Sequence, residues 1–223
     1  MFGVMGILAA LYEREKSGKG QHVDISMLDC QVSLLNYMAT MHFLSGEDPY
    51  PIGNSHFVHV PYNTYRCQDG FIVIAVITDN FWQNLKQVVN CAAFDDPALD
   101  GQPGRWADRE MINATLSDVL KDRSCSHWLT LLEAQRIPCA PVNNFSQALS
   151  DPQVRHRNMV VELGHPNGAK TRGPGNPIKL SRTCEESFAP APTLGQNTDE
   201  VFSTLLGYSV GEIDDLRSRG VIA

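Results

Sequence analysis

His56 and His59 lie three residues apart in a stretch punctuated by Pro49, Pro51, Gly53 and Pro61. Two imidazoles in one loop can hold a carboxylate, by hydrogen bonding when neutral or by charge when protonated. The other reading is a pair of ordinary loop histidines. A second group, Lys16, Lys19 and His22, surrounds the turn Ser17-Gly18-Lys19-Gly20. It offers positive charge to phosphates, or it is a solvated turn. Asp24 alternates with Val23 and Ile25, so it points away from them if the segment is extended. Asp29 follows Ser26 at capping-box spacing, which gives it a structural duty. Tyr62 and Tyr65 read as core or strand residues. The six cysteines, Cys30, Cys67, Cys91, Cys125, Cys139 and Cys184, form no CxxC pair and lie at no zinc-finger spacing from a histidine. They are read as small buried thiols of a reducing compartment, with neither a metal site nor a disulfide framework.

The elements that position these residues follow from periodicity and punctuation. The chain has 223 residues, is 43% hydrophobic and carries a net charge of −7. That composition suits a globular protein with a real core and argues against a nucleic-acid partner, which calls for a basic face. Val4, Ile7, Leu8, Leu11 and Tyr12 fall at helical spacing, with Gly3, Gly6, Ala9 and Ala10 as small positions where another segment can approach. The run has no basic residue ahead of it and is shorter than the about 20 residues a membrane span needs. It is read as a buried helix of a cytoplasmic protein with no membrane partner.

Gln21–Ile25 reads as a short strand, and a helix opens at the Ser26 cap and runs to Gly46. Residues 46–61 are a loop. Tyr62–Cys67 and Phe71–Ile77 are strands joined through Asp69-Gly70 as a hairpin. Helices are expected over 79–90, 106–122 and 125–135, with a loop over Asp95–Gly104 and an extended segment over 137–142. Asn144 with Gln147, Asp151 with Pro152, Asn197 with Glu200, and Ser209 with Glu212 mark further helix starts. Met159–Leu163 and Pro177–Leu180 read as strands joined by a Gly/Pro-rich connection over His165–Gly175.

Five blocks in this order resemble the class III CoA-transferases, the family of formyl-CoA, carnitine and bile-acid CoA-transferases. The first runs from Gly6 to Leu11, through Lys16–Gln21, to Val23–Leu28. The others are Pro61–Tyr65 leading into Asp69-Gly70, Ile137–Val142, Asp151–Val154 and Leu194–Glu200. The resemblance implies an α/β fold: the C-terminal part of that family's architecture, with part of a Rossmann-like large domain plus a small mixed α/β domain. On that scheme residues 1–60 are a large-domain segment, 61–142 the small domain and 143–223 the large domain's C-terminal segment. It also implies an interlocked homodimer at full length, acyl-CoA and a carboxylic acid as substrates, and coenzyme A as substrate with no tightly bound cofactor.

The family reaction that the resemblance implies starts with an Asp carboxylate attacking a thioester. In the family pattern that Asp lies a few residues before the helix that here starts at Val4. This sequence reads Met1-Phe2-Gly3 there, so no catalytic residue is expected within it, and neither Asp24 nor Asp29 is read as the nucleophile. Met27 matches a position bordering bound CoA; a core methionine at a helix start is the alternative. Gly53-Asn54-Ser55-His56 matches a loop near the acyl site, which makes Asn54 and His56 candidate substrate-binding residues. That loop is glycine-rich in the formyl-CoA branch and is not so here, which implies a different acid. The wording of Val60–Thr64 and Pro141–Asn144 is similar to dicarboxylate-type members. Two other readings stand beside the transferase: an α-methylacyl-CoA racemase of the same fold, working by general acid–base catalysis, and an inactive fragment.

Overall fold

The computed structural model of the chain describes residues 1–165, 167–183 and 188–222, arranged as two compact units, Met1–Pro141 and Val142–Ala223. Cys184 lies outside the described residues.

The first unit opens with α1 (Phe2–Ser17), closed by Gly18 in the left-handed region (φ 72°), whose N–H donates to the Arg14 carbonyl. No residue of α1 is buried. Val4, Ile7, Leu8 and Tyr12 are 62%, 53%, 59% and 66% exposed. This corrects the expectation of a buried helix: the spacing gave the helix, but the described residues do not cover its apolar side. The small position at Gly6 is used. A Cβ there would lie 2.9 Å from Val23 Cγ1 and 3.4 Å from Ile25 Cδ1. Residues 21–25 form no strand, because a strand exists only through hydrogen bonds to a neighbour. Next come α2 (Met27–Leu34), whose N-terminus Ser26 caps by accepting from the Asp29 N–H, and α3 (Asn36–Ser45). The single helix expected here is broken where Asn36 takes a φ of 50°.

The core of this unit lies entirely between Val60 and Ile137. Strand β1 (Tyr62–Arg66) pairs antiparallel with β2 (Phe71–Ala75), Tyr65 opposite Ile72, as the hairpin reading expects. On β2, Ile72 and Ile74 are fully buried on one face, each contributing about 1.5–3 kcal/mol. Asp69-Gly70 does not serve the turn through a positive φ. The Asp69 carboxylate instead accepts from the Cys125 N–H at 2.7 Å, at the start of a later helix.

Helix α4 (Asp79–Val89), capped by Thr78, buries Trp82, Leu85 and Val89. Two short 3₁₀ turns, Ala92–Phe94 and Pro97–Asp100, then lead to α5 (Gln102–Ala107) and α6 (Arg109–Leu120). The expected loop over 95–104 and single helix over 106–122 are thus redistributed. Helix begins early, at Gln102 with Pro103 in its first turn, and breaks at Asp108. Helix α7 (Cys125–Ala134) buries Trp128 and Leu132, and β3 (Cys139–Pro141) pairs antiparallel on the other edge of β2.

The second unit contains α8 (Phe145–Ser150), with a full Asn144/Gln147 capping box, and α9 (Pro152–His156), capped by Asp151. Strand β4 (Val160–Gly164) pairs antiparallel with β5 (Lys170–Pro174). The return strand was expected at Pro177–Leu180. The turn closes at once, with the His165 N–H donating to the Ala169 carbonyl at 2.8 Å, so pairing starts at Lys170. Helix α10 (Thr198–Glu200) continues into a π-helical turn, Val201–Leu205, and α11 (Val210–Ser218) carries a full Ser209/Glu212 capping box. Arg217 bonds Asp199 at 2.5 Å, tying α11 to α10.

Of the described cysteines, Cys67 is buried and Cys30, Cys91, Cys125 and Cys139 are half-buried. Burial, with the neighbouring Cys125 side chain, pushes the Cys67 thiol up to about 12. The thiolate is the reactive form. Iodoacetamide is therefore expected to label Cys67 at least about a hundredfold more slowly in the native chain than in urea. Peptide mass spectrometry after timed labelling checks this, and equal rates would contradict it.

Candidate active site

The loop over 46–61 and the start of α6 enclose a cavity of about 270 Å³. The loop contributes Tyr50, Ile52, Ser55, His56 and His59 to its lining, and the helical side contributes Trp106, Arg109, Glu110 and Asn113. The loop is anchored to the sheet and core. The His56 N–H donates to the Tyr62 carbonyl at 3.2 Å, and Asn63 Nδ2 donates to Ser55 Oγ at 2.9 Å. The Val60 carbonyl accepts from the buried Arg105 at 2.9 Å, and the Gln102 amide donates to the Val58 carbonyl. On the helical side, the Tyr65 hydroxyl donates to Asn113 Oδ1 at 2.5 Å.

His56 has a defined tautomer. Its Nδ1 accepts from the N–H groups of Val58 at 3.0 Å and His59 at 3.1 Å. An acceptor nitrogen carries no proton, so the neutral ring holds its hydrogen on Nε2 as a donor. Partial burial lowers the His56 pKa, and the nearby His59 charge lowers it further, so the neutral form is favoured. The ring is stacked on Tyr62 at 5.1 Å and on Phe57 at 4.5 Å, and lies 4.8 Å from the His59 ring. His59 Nδ1 is buried without a hydrogen-bond partner. The Arg109 guanidinium sits 5.0 Å from the Trp106 ring and donates to the Trp106 carbonyl at 3.1 Å. The arrangement offers hydrogen-bond donors and a cation to a small anion. Beside it is a more apolar recess of about 330 Å³, lined by Met38, Met41 and Phe57 and sharing Tyr50, Ile52 and Trp106.

The structure brings together the sequence candidates His56, His59 and Tyr62, and leaves Asn54 and Met27 outside this cavity. Asn54 is exposed in a turn. Met27 is 88% exposed, so the core reading does not hold in this chain. Tyr65 is a core residue, as one reading had it, and burial raises its pKa. Lys16 lies over the Tyr12 ring at 4.4 Å, and Lys19 and His22 are exposed. Asp24 and Asp29, both exposed, share a shallow recess of about 190 Å³ with Phe2. The sequence reading missed Trp106, Arg109 and Asn113. Arg109 looks like any cation on an amphipathic helix until the loop is folded over it. Among the described residues, no group of His, Cys, Asp or Glu could hold a metal, and no helix is long and apolar enough to cross a membrane.

A three-stranded antiparallel sheet packed with helices gives the first unit a mixed α/β architecture. The chain belongs to CoA-transferase family III, whose profile matches residues 1–198. It is 34% identical over 207 residues to a succinyl-CoA:mesaconate CoA-transferase of Haloarcula marismortui, covering 90% of this chain and 50% of that protein. It is 27% identical over 223 residues to the human succinyl-CoA:glutarate CoA-transferase, covering all of this chain and 51% of that one. A CAIB/BAIF family protein from Brucella suis superposes with a TM-score of 0.77 at 28% identity, over 92% of this chain and 53% of that one. The chain thus spans about half the length of the curated relatives it matches.

Proposed function

We propose that this chain is the C-terminal part of an enzyme of acyl-CoA metabolism that moves coenzyme A between an acyl-CoA and a dicarboxylic acid. One observation carries the reading. Relatives matching nearly the whole chain are named as CoA-transferases, and several of those names include succinyl-CoA with glutarate or mesaconate. Coenzyme A is a substrate in this scheme, with no tightly bound cofactor. The working unit is an interlocked homodimer in the cytoplasm.

In the chemistry proposed, an Asp carboxylate outside these 223 residues attacks the thioester carbonyl and CoA thiolate leaves, forming a mixed anhydride. The thiolate attacks the aspartyl carbonyl and expels the first acid, leaving an aspartyl-CoA thioester. The acceptor carboxylate repeats the two steps in reverse, so the Asp is regenerated without hydrolysis. The parts assigned to this chain are binding and orientation. Met27 borders the CoA, and Asn54 and His56 meet the acid, His56 through its Nε2–H. Residues 1–60 and 143–223 serve a large domain, and 61–142 form the small one. The broad exposure of apolar side chains on α1 to α3 supports a missing covering segment, as a large-domain half would supply.

The reading is tested by the DNA immediately upstream, read in frame, and by assay. An Asp a few codons before Met1 within a Gly-rich segment is expected. The 223-residue chain alone is expected to form no new acyl-CoA from succinyl-CoA and glutarate. Turnover by the purified chain, free of any longer homologue, would sink the assignment of the nucleophile.

A further inference from the structure

We infer that the cavity between the 46–61 loop and α6 receives the far carboxylate of a dicarboxylic acid, with Arg109 as its cationic anchor and His56 Nε2–H as a second donor. This rests on the transferase reading above, which supplies a small acid as substrate. It adds the place where the non-reacting end of that acid is held.

Three features converge on it. Arg109 spends a guanidinium N–H on the Trp106 carbonyl and is held by that ring, and no described carboxylate lies within ion-pair distance of it. A planar guanidinium with its remaining donors open is suited to a carboxylate, which it can grip through two parallel hydrogen bonds. His56 is locked as an Nε2–H donor by two backbone N–H groups. His59 Nδ1 is buried and unpartnered on the same lining, and such an atom is costly unless something satisfies it.

Size and polarity limit the occupant. A cavity of about 270 Å³ is at the low end of ligand sites, so it suits a small acid. Glu110 also lines the cavity but is exposed, so solvent and salt screen its repulsion. Nothing in the argument requires CoA to be present, so the site can be read by acid binding alone.

The test is a titration of the 223-residue chain, with isotope-labelled histidine, against glutarate and against its neutral diamide, followed by the ring resonances of His56 and His59. Glutarate is expected to shift both. The diamide, which has no carboxylate, is expected to bind at least roughly tenfold more weakly. Arg109→Gln is expected to weaken glutarate at least roughly tenfold while leaving the diamide unchanged, and Arg109→Lys to recover part of the loss. The proposal is overturned if glutarate leaves the two rings unshifted, if the diamide binds as well, or if Arg109→Gln binds glutarate like the parent. Histidine shifts without CoA transfer by the chain joined to its in-frame upstream segment would retain this site and remove the transferase reading. Transfer to glutarate that is indifferent to Arg109→Gln would do the opposite.

Discussion

Replacing Arg105 with Met is expected to cost about 3–5 kcal/mol in urea unfolding, the range for stripping one partner from a buried charged network. Tryptophan fluorescence reads it cleanly, because all three tryptophans, Trp82, Trp106 and Trp128, lie in the first unit. Arg105 is fully buried, yet its guanidinium is satisfied throughout. It donates to the carbonyls of Val60 at 2.9 Å, Leu99 at 3.0 Å and Asp100 at 2.8 Å. It also bonds Gln102 Oε1 at 2.9 Å and Asp79 Oδ1 at 2.7 Å, and lies 5.5 Å from the Trp82 ring. One side chain therefore joins the candidate-site loop, the second 3₁₀ turn, α5 and the start of α4. Met fills similar space but leaves the backbone carbonyls without donors, at about 1–3 kcal/mol for each that stays buried. Asp79→Asn is the control. That carboxylate is 64% exposed, and its loss is expected to cost no more than about 1 kcal/mol. Equal effects from the two substitutions would show that the ion pair, and not the carbonyl cluster, carries the stability.

The second large effect is expected at Gly104. Ala in a helix gains about 1 kcal/mol over Gly by propensity alone. Here a Cβ would stand 1.8 Å from the Ala98 carbonyl oxygen and 2.8 Å from its carbon. Both are backbone atoms, so no rotamer change relieves the overlap. Moving α5 off the 3₁₀ turn would also pull on the Arg105 hydrogen bonds to Leu99 and Asp100. Gly104→Ala is accordingly expected to destabilise by about 2–3 kcal/mol or more, clash outweighing propensity. Gly101→Ala, whose Cβ would meet only Pro103 Cδ at 3.7 Å, is expected to be close to neutral. The Arg105 and Gly104 substitutions share partners, so their combined cost is expected to differ from the sum of the two. Urea midpoints at unchanged m-value check all of these.

Local signals carried much of the fold. Ser26, Asn144, Asp151 and Ser209 each cap the helix their position marks, because a side-chain oxygen two or three residues from a free N–H needs nothing else to act. The apolar, β-branched run Phe71–Ala75 marked β2 as a strand, but an unbroken apolar run does not tell which of its faces is buried. What stayed illegible depends on partners distant in sequence. Gln21–Ile25 has strand composition but no paired neighbour. Arg105 is indistinguishable in sequence from a surface arginine, and its burial follows only when the Val60 and Leu99 carbonyls turn inward. The one-residue break at Asp108 is also invisible in the apolar spacing of 106–122. The cavity was half legible. His56 and His59 stood out as a loop pair, whereas Arg109, about 50 residues on, joins them only through the packing of α6 against the loop. The apolar face of α1 was legible as a face that wants covering, and the described residues leave it exposed.

The most direct measurement is the mass spectrum of the CoA-ester pool after incubation with succinyl-CoA and glutarate in heavy water, using this chain joined to its in-frame upstream segment. Glutaryl-CoA is predicted to accumulate, with no deuterium at the carbon next to the thioester beyond the protein-free control. Deuterium entering that carbon without any glutaryl-CoA would contradict the account and favour proton-transfer chemistry on the same scaffold.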